Sequence, residues 1–504
     1  MIVKNKILLL GLLSFLIGIH HLFADNIMID TKKEKPNAMK QSRRSFLHSA
    51  SLLAAGSVFP LSGFGNENRK LRVTLVGTGW RGISFWGKRL NDEYNSILEF
   101  VGLCDINPGR VAYAKKYIGV DCPTYQDFDK MLNETNPDLV IVTTTDSTHD
   151  QFIIKGLESG CDVMTEKPLT TDAKKCQSII DAERRTGKNV IVAFNYRWSP
   201  YFTRIKELLQ EDTIGKLVSV DFHWYLNTHH GAQYFRRWHG LREVGGTLWV
   251  HKATHHFDLL NWWIDSEPKE VFAYGDLEFY GSNNDFRGEN CRSCPHKQIC
   301  DFYWDISKND VFMDLYVANE KYDGYIRDSC VFRRDINIYD KMSAQVKYMN
   351  NVILNYSLTT YSPYEGFKMA LNGTKGRIEA WMDIPYQKDM KLDQSDMYNA
   401  GMQQEQSGEI DSEPVIIHKL WEDYKSIRVN YERKGHWGGD KRLHEHEFKH
   451  PEKTDPYDRP AGLRDGAMSV LIGVAAVNSI ESGEPVRIAE LTNLKPREKR
   501  FVSI

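Results

Sequence analysis

Net charge is nearly absent from this 504-residue chain, in which 65 Lys and Arg meet 67 Asp and Glu to leave -2. So even a balance carries no electrostatic footprint for nucleic acid or an anionic membrane, and neutral small molecules become the expected partners. Cysteine is scarce as well. Eight in so long a chain exclude a disulfide-framed mini-domain, which would be shorter and richer in cysteine. The apolar stretch near the amino terminus, Ile7 to Ile19, has 13 residues and falls short of the roughly 20 that span a bilayer, so no stable membrane span is expected after processing. There is no G-x-x-x-x-G-K-[ST], no G-x-S-x-G elbow and no internal repeat, which leaves kinase and triad-hydrolase readings without support.

What is present describes a folded protein of two or three domains, with 41% apolar residues, 26% charged residues and 12 Trp. Residues 1–65 read as an address. Lys4 and Lys6 precede the apolar stretch, and a second signal-like element, SRRSFLH from Ser42, precedes the mildly apolar SASLLAAGSVFPL. Adjacent arginines followed by Phe46 and Leu47 resemble a twin-arginine export signal, which places the protein in the periplasm and makes Met39 a candidate true start. The alternative is an amphipathic helix packed on the body.

From Leu71 the pattern alternates short β-rich runs with helical stretches, the mark of a parallel α/β sheet. LRVTLV runs into Gly77-Thr78-Gly79-Trp80-Arg81-Gly82 and then ISFWGKRL, so a G-x-G-x-x-G lies between a strand and a helix, where it can cradle a pyrophosphate. LEFVGLC reads as the next strand and ends at Asp105, an acid placed to take the ribose hydroxyls and to favour NAD over NADP. Arg110 leaves NADP open, either through a 2′-phosphate or by stacking on adenine; as a solvated helix residue it would do neither. Further strands are expected at 139–144, 162–167 and 190–197, so a Rossmann domain spans 69–195.

These segments, with VTTTDSTH ending at His149, Glu166-Lys167-Pro168, AFNYRWSP, GGTLWVHKATHHFDLLNWW and the closing DGAMSVLIGVAAVNSIESGEPVRIAEL, resemble the Gfo/Idh/MocA oxidoreductases over about residues 70–492. The resemblance implies an α+β second domain, 196–492, built on an open and mainly antiparallel sheet, and a homo-oligomer, dimer or tetramer. The alternation in 216–226 and 344–361, and a turn followed by a strand in 372–381, agree with such a sheet. The resemblance also implies cofactor contacts at Gly77, Gly79, Trp80, Arg81, Gly82, Asp105, Arg110, Thr144, His149, Glu166, Lys167, Asn195 and Arg197.

For chemistry, Lys167 follows a strand and precedes a proline, near the expected nicotinamide, where a desolvated amine can take a hydroxyl proton. His251, His255 and Asp258 are spaced to share one helix face. The family pattern there is Asp-x-Gly-x-His, so His255 keeps the catalytic histidine while His251 stands for an aspartate and Ala253 for a glycine. His251 is left open among a substrate contact, half of a metal pair with His255, and a structural role. His256 and the tryptophans 249, 262 and 263 read as packing. Cys291-x2-Cys294-x5-Cys300 with Cys330, in an insertion of about 281–335, suit zinc, with an iron-sulfur cluster or two disulfides as alternatives. Cys104, Cys122, Cys161 and Cys176 read as inert thiols. His436, His444, His446 and His450 lie in a polar stretch that is either a mobile lip or a solvated loop.

The expected function is an exported NAD(P)-dependent oxidoreductase that interconverts a secondary alcohol and a ketone on a sugar, glycoside or polyol, with its cofactor tightly bound. Two alternatives accompany it, a redox-neutral glycoside-cleaving enzyme and a non-catalytic sugar or dinucleotide sensor.

Overall fold

The structure, a computed structural model, describes residues 69–383, 393–397 and 409–500. The leader-like segment 1–65 lies outside the described residues.

Six short strands, β1 (Leu71–Val76), β2 (Leu98–Cys104), β3 (Thr124–Tyr125), β4 (Leu139–Val142), β5 (Asp162–Thr165) and β6 (Val190–Val192), form one sheet in the order β3-β2-β1-β4-β5-β6. All their pairings are parallel. β4, LVIV, is buried at every position, as a strand covered on both faces must be. The order reverses between β1 and β4, and the crevice at the carboxyl ends of these two strands is where such sheets bind ligands. Loops 77–82 and 143–149 therefore flank the expected dinucleotide site.

The second sheet holds nine strands, β7 (Leu217–Asn227), β8 (Pro268–Asp276), β9 (Lys341–Tyr348), β10 (Ile353–Ser362), β11 (Gly366–Gly373), β12 (Gly376–Met382), β13 (Ile410–Lys419), β14 (Lys425–Glu432) and β15 (Val486–Arg487). Their order is β14-β13-β12-β11-β7-β10-β9-β8-β15, and only the β7–β10 pair is parallel. The mainly antiparallel sheet is thus as expected. Residues 344–361 fall into two strands, with a turn in which Asn351 takes φ 68°. β7 alternates buried and half-buried positions along most of its length, so one face meets the core and the other stays partly solvated.

The helix Leu463–Ser482 packs on β8 and on the helix Ala253–Ile264. It is long and apolar enough to cross a membrane, but 78% of its apolar window is buried inside the protein, which accounts for its composition. A Cβ at Gly473 would meet the Trp249 carbonyl oxygen at 2.4 Å, so glycine is what lets the two backbones approach.

Two local expectations change. The strand expected over 190–197 ends at Val192, because the chain must turn through Tyr196–Trp198 to begin the helix Pro200–Gln210 with its proline in the first turn. The helix expected to carry His251, His255 and Asp258 on one face is broken at Lys252 into Leu248–His251 and Ala253–Ile264.

Lys206, in the helix Pro200–Gln210, is 4% exposed, and its Nζ donates to the carbonyl of Trp262. Burial pushes its ammonium down to about 7, with Asp265 pulling the other way. An unfolded lysine titrates near about 10.4, so between these values the unfolded chain holds more protons and stability rises with pH; below about 7 the cost of burying the charge stands in full. Lys206→Met should therefore gain on the wild type in acid and lose that advantage in base. Unfolding free energies of both proteins at pH about 6.5 and about 9.5 check this, and a pH-independent gap would refute it.

Candidate active site

The glycine-rich turn is set by two close approaches. Gly77 has φ +90°, and a Cβ there would lie 2.6 Å from the carbonyl carbon and oxygen of Thr143; one at Gly82 would lie 2.3 Å from the Gly77 oxygen. Gly79 differs, since its Cβ would meet only the Tyr316 hydroxyl, at 3.6 Å. The first two glycines are needed by the fold and Gly79 by whatever approaches the loop, which is how the residues present fit a dinucleotide. Gly77→Ala should accordingly destabilise the protein, whereas Gly79→Ala should fold normally and lose dinucleotide affinity by about tenfold or more. Paired thermal melts and nucleotide titrations separate the two, and unchanged binding in Gly79→Ala would refute the assignment.

Asp105 faces this loop. Its Oδ2 accepts from Thr78 N at 2.7 Å and Thr78 Oγ1 at 2.9 Å, and its Oδ1 from Asn107 N at 2.9 Å and Arg110 Nη2 at 3.3 Å. The expected ribose acceptor is 8% exposed and serves first as a brace for the turn. Arg110 also pairs with Asp323, so it is neither a solvated helix residue nor a free cation awaiting a 2′-phosphate. Trp80 donates its backbone N–H to the Tyr316 hydroxyl at 2.8 Å.

Beyond β5, Lys167 Nζ donates to the carbonyl of His251 at 3.1 Å, and His251 Nδ1 lies 2.5 Å from Asp146 Oδ2. Burial drives the Lys167 ammonium below its ordinary value, with Asp146 opposing. It also lifts the Asp146 carboxyl well above the usual carboxylate range and drives the His251 imidazolium well below its own. The three groups thus sit where burial favours their uncharged forms, and a lysine so placed gives up its proton more readily than an exposed one. Asp146 returns to the site the carboxylate that His251 displaces from position 251.

His255 stacks on Tyr196, centroids 4.2 Å apart and planes 7° apart, and its Nδ1 has no hydrogen-bond partner among the described residues. Lys252, at the helix break, donates to the Tyr196 hydroxyl at 3.0 Å, and burial pushes it down to about 7. Around them stand Tyr234, with its ring 5.5 Å from His251, and Glu365, bonded to His230 at 3.0 Å. The break turns His251 toward Asp146 and His239 and leaves His255 with Tyr196 and His436, so the pair does not form a metal site; among the described residues no three His, Cys, Asp or Glu side chains take up metal-holding geometry.

The 435–440 turn closes one side. His436 and Trp437 hold φ of 52° and 56°, and Asp440 accepts from Arg81 at 3.2 Å and from Asn195 at 2.6 Å. Two adjacent non-glycine residues in the left-handed region are strained, and they persist because this turn is pinned by those bonds. His436 belongs to this wall, while His444 and His446 are buried; only His450 is exposed, so the stretch is neither a free lip nor a solvated loop.

Several expected cofactor contacts serve the architecture instead. Arg197 is wholly buried, bonded to Asp258 at 2.8 and 2.5 Å and to Asp465 at 3.1 Å, which also removes Asp258 from the histidine face. His149 spends both ring nitrogens, on the carbonyls of Pro168 at 2.8 Å and Thr144 at 3.2 Å, and so sets the turn that carries Lys167. Glu166 accepts from Arg81 at 2.6 Å and Trp86 at 2.9 Å, and Thr144 Oγ1 accepts from Thr148 at 2.9 Å. Asn195 is tied to Asp440 and His436. Asp146 and Lys252 carry no signal of their own in the sequence. Their partners, His251 and Tyr196, come from segments far away in the chain, and only that juxtaposition marks them.

Cys291, Cys294, Cys300 and Cys330 are unpaired and line one cavity of about 20 Å³. The four remaining cysteines are buried single thiols, and burial pushes Cys104 and Cys176 up to about 12, which makes them inert.

Residues 71–194 match the oxidoreductase family's NAD-binding Rossmann fold, and residues 206–488 match its C-terminal alpha/beta domain. The chain is 34% identical over 440 residues to the YteT protein of Bacillus subtilis (strain 168), an oxidoreductase by name, a match covering 84% of this chain and 99% of that one. It is 26% identical over 209 residues to the inositol 2-dehydrogenase/D-chiro-inositol 3-dehydrogenase of Lactiplantibacillus plantarum, which covers 41% of this chain and 56% of that one. Levoglucosan dehydrogenase, solved with NADH and levoglucosan, shares the fold at a TM-score of 0.58 and 15% identity over 83% of this chain and 100% of that chain. With both domains matched and a relative aligned over nearly its whole length, the chain belongs to the Gfo/Idh/MocA family of NAD(P)-dependent oxidoreductases.

Proposed function

We propose that the protein is an exported dehydrogenase that interconverts a secondary alcohol and a ketone on a cyclic sugar, glycoside or polyol, and that it keeps its dinucleotide from one turnover to the next. The observation that carries this reading is the meeting of Lys167, the His251–Asp146 pair and the Lys252–Tyr196 pair beside the carboxyl end of β5. The relatives act, by their names, on inositol and levoglucosan, both ringed polyhydroxy compounds, which supports the substrate class.

When bound, the nicotinamide supplies hydride acceptance and return; the chain's own residues handle the proton. Lys167 hydrogen-bonds the reacting hydroxyl and takes its proton, and His251, backed by Asp146, orients that oxygen. Lys252 and Tyr196 hold a neighbouring hydroxyl, with His255 stacked beside them as the second route for the proton. Export rests on the twin-arginine resemblance at Ser42. The half-solvated outer face of the second sheet is the proposed surface for a dimer or tetramer.

The insertion's contacts around the glycine-rich loop, Tyr316 with Trp80 and Asp323 with Arg110, also favour a second reading in which the dinucleotide is oxidised and reduced in place. In that redox-neutral cycle, oxidation at the sugar C3 would acidify the C2 proton, that proton and the aglycone would leave by elimination, water would add at the anomeric carbon, and return of the hydride would restore the alcohol. One experiment decides. The protein with its resident nucleotide is given sugars, polyols and chromogenic glycosides with no added oxidant. Reduction of the nucleotide without aglycone release supports the dehydrogenase, release without net reduction supports the glycoside-cleaving cycle, and binding with neither marks a sensor.

A further inference from the structure

Residues 316–323 of the insertion lie against two parts of the Rossmann domain that its sheet sets side by side. The Tyr316 hydroxyl accepts from the Trp80 N–H of the glycine-rich turn at 2.8 Å, and the Asn319 carbonyl accepts from the Asn107 side chain at 3.0 Å. Asn107 caps the helix Pro108–Ile118, which follows β2. A Cβ at Gly109, in that helix's first turn, would lie 1.8 Å from Asn319 Oδ1 and 2.8 Å from the Tyr322 ring, so the insertion is seated directly on the helix start. In a sheet of this order the carboxyl end of β2 is where the adenosine ribose of a dinucleotide lies. The insertion therefore borders the half of the crevice that tells NAD from NADP.

The charges at that place are closely arranged. Arg110 Nη2 pairs with Asp105 Oδ1 at 3.3 Å and with Asp323 Oδ2. The two carboxylates differ in what else they do. Asp105 is spent within its own domain, its Oδ2 on both Thr78 donors and its Oδ1 on the Asn107 N–H. Asp323 takes the Tyr325 N–H on Oδ1 at 3.2 Å and leaves Oδ2 for Arg110. The insertion holds it there, since Asp323 closes the short helix Glu320–Asp323, and Glu320 at the other end bonds Arg292 at 2.5 Å, itself bonded to Asp328 at 3.1 Å.

Two carboxylates around one guanidinium leave this group negative. A ribose 2′-hydroxyl adds no charge to it, whereas a 2′-phosphate adds roughly -1.5 to -2 near pH 7 and would have to displace a carboxylate to reach the guanidinium. An arginine fork is the natural grip for such a phosphate, and here the fork is already turned to carboxylates.

We infer that Asp323, a carboxylate of the insertion and not of the Rossmann domain, sets the nucleotide choice: by holding Arg110 it excludes a 2′-phosphate and fixes the enzyme on NAD. The inference rests on the dinucleotide reading of this crevice.

The test measures equilibrium affinities of the full chain for NAD and for NADP at one ionic strength. Wild type, Asp323→Asn, Arg110→Met and the double variant are compared, with thermal melts to show that each is folded. The wild type should prefer NAD. Asp323→Asn should raise the ratio of NADP to NAD affinity by about tenfold or more, and should do so only while Arg110 is present. Asp323→Glu, which keeps the charge, should keep the NAD preference. An unchanged ratio in Asp323→Asn, the same rise in the Arg110→Met background, or an equal loss of both nucleotides would overturn the inference, the last by showing a merely structural role. If Asp323→Asn does not fold, Asp323→Ser carries the same comparison. A wild type that binds NADP more tightly than NAD would overturn the inference and leave the dinucleotide reading standing, whereas a wild type that binds neither would end both.

Discussion

Lys167→Ala should lower turnover by about 10²- to 10⁴-fold while the protein keeps its fold and its dinucleotide. The size follows from the work assigned to the amine. Hydride can leave a carbinol carbon only as the hydroxyl proton goes elsewhere, and a factor of 10³ corresponds to about 4 kcal/mol of barrier. Burial has already lowered the ammonium below its ordinary value, which brings the neutral amine closer to hand, and oxidation of the alcohol should speed up as pH rises through its titration. Lys167→Arg should not rescue, because a guanidinium stays protonated. Lys252, pushed down to about 7, is the rival base. Rate-against-pH profiles of Lys167→Ala and Lys252→Met assign the acidic limb, and a Lys167→Ala protein with wild-type kcat would end the proposed role.

Arg197→Met should cost about 3–5 kcal/mol of stability, the largest loss expected from any single exchange outside the site. The side chain has no exposure, and its removal leaves Asp258 and part of the Asp465 charge without their partner. Burial already pushes Asp258 up to about 6 even with the guanidinium present. The loss should be mostly that of a stranded carboxylate, so Arg197→Met with Asp258→Leu should recover a large part of it. Asp465 keeps Arg500. Denaturant unfolding of the single and double variants measures this, and equal instability of the two would show that packing rather than charge is at stake.

The parts legible in the sequence were those written locally. The turn Gly77 to Gly82 announces its geometry because its glycines answer to contacts within one strand–turn–helix unit, and β7 shows its face through alternation over 11 residues. Lys167 stood out by motif, whereas His149, expected as a cofactor contact, turns its ring nitrogens to the carbonyls of Pro168 and Thr144. What could not be read were pairings across the chain. Arg197 meets Asp465, 268 positions on, and Asp146 meets His251 across 105. Such partners carry no periodicity, so Arg197 looked like a ligand residue and Asp146 like a loop residue. The helix break at Lys252 was hidden for a related reason, since helical spacing says nothing of a lysine whose side chain is bonded to a tyrosine hydroxyl 56 positions earlier.

Arg81 rises from the glycine-rich loop and is held on one side by Glu166 and on the other by Asp440 of the strained 435–440 turn. That guanidinium fastens the 435–440 turn both to the glycine-rich loop and to the residue before Lys167, so a shift of any one of the three is felt by the other two. If the loop holds a dinucleotide as proposed, the expected kinetic pattern is an ordered one, nucleotide first in and last out, and product-inhibition patterns check it.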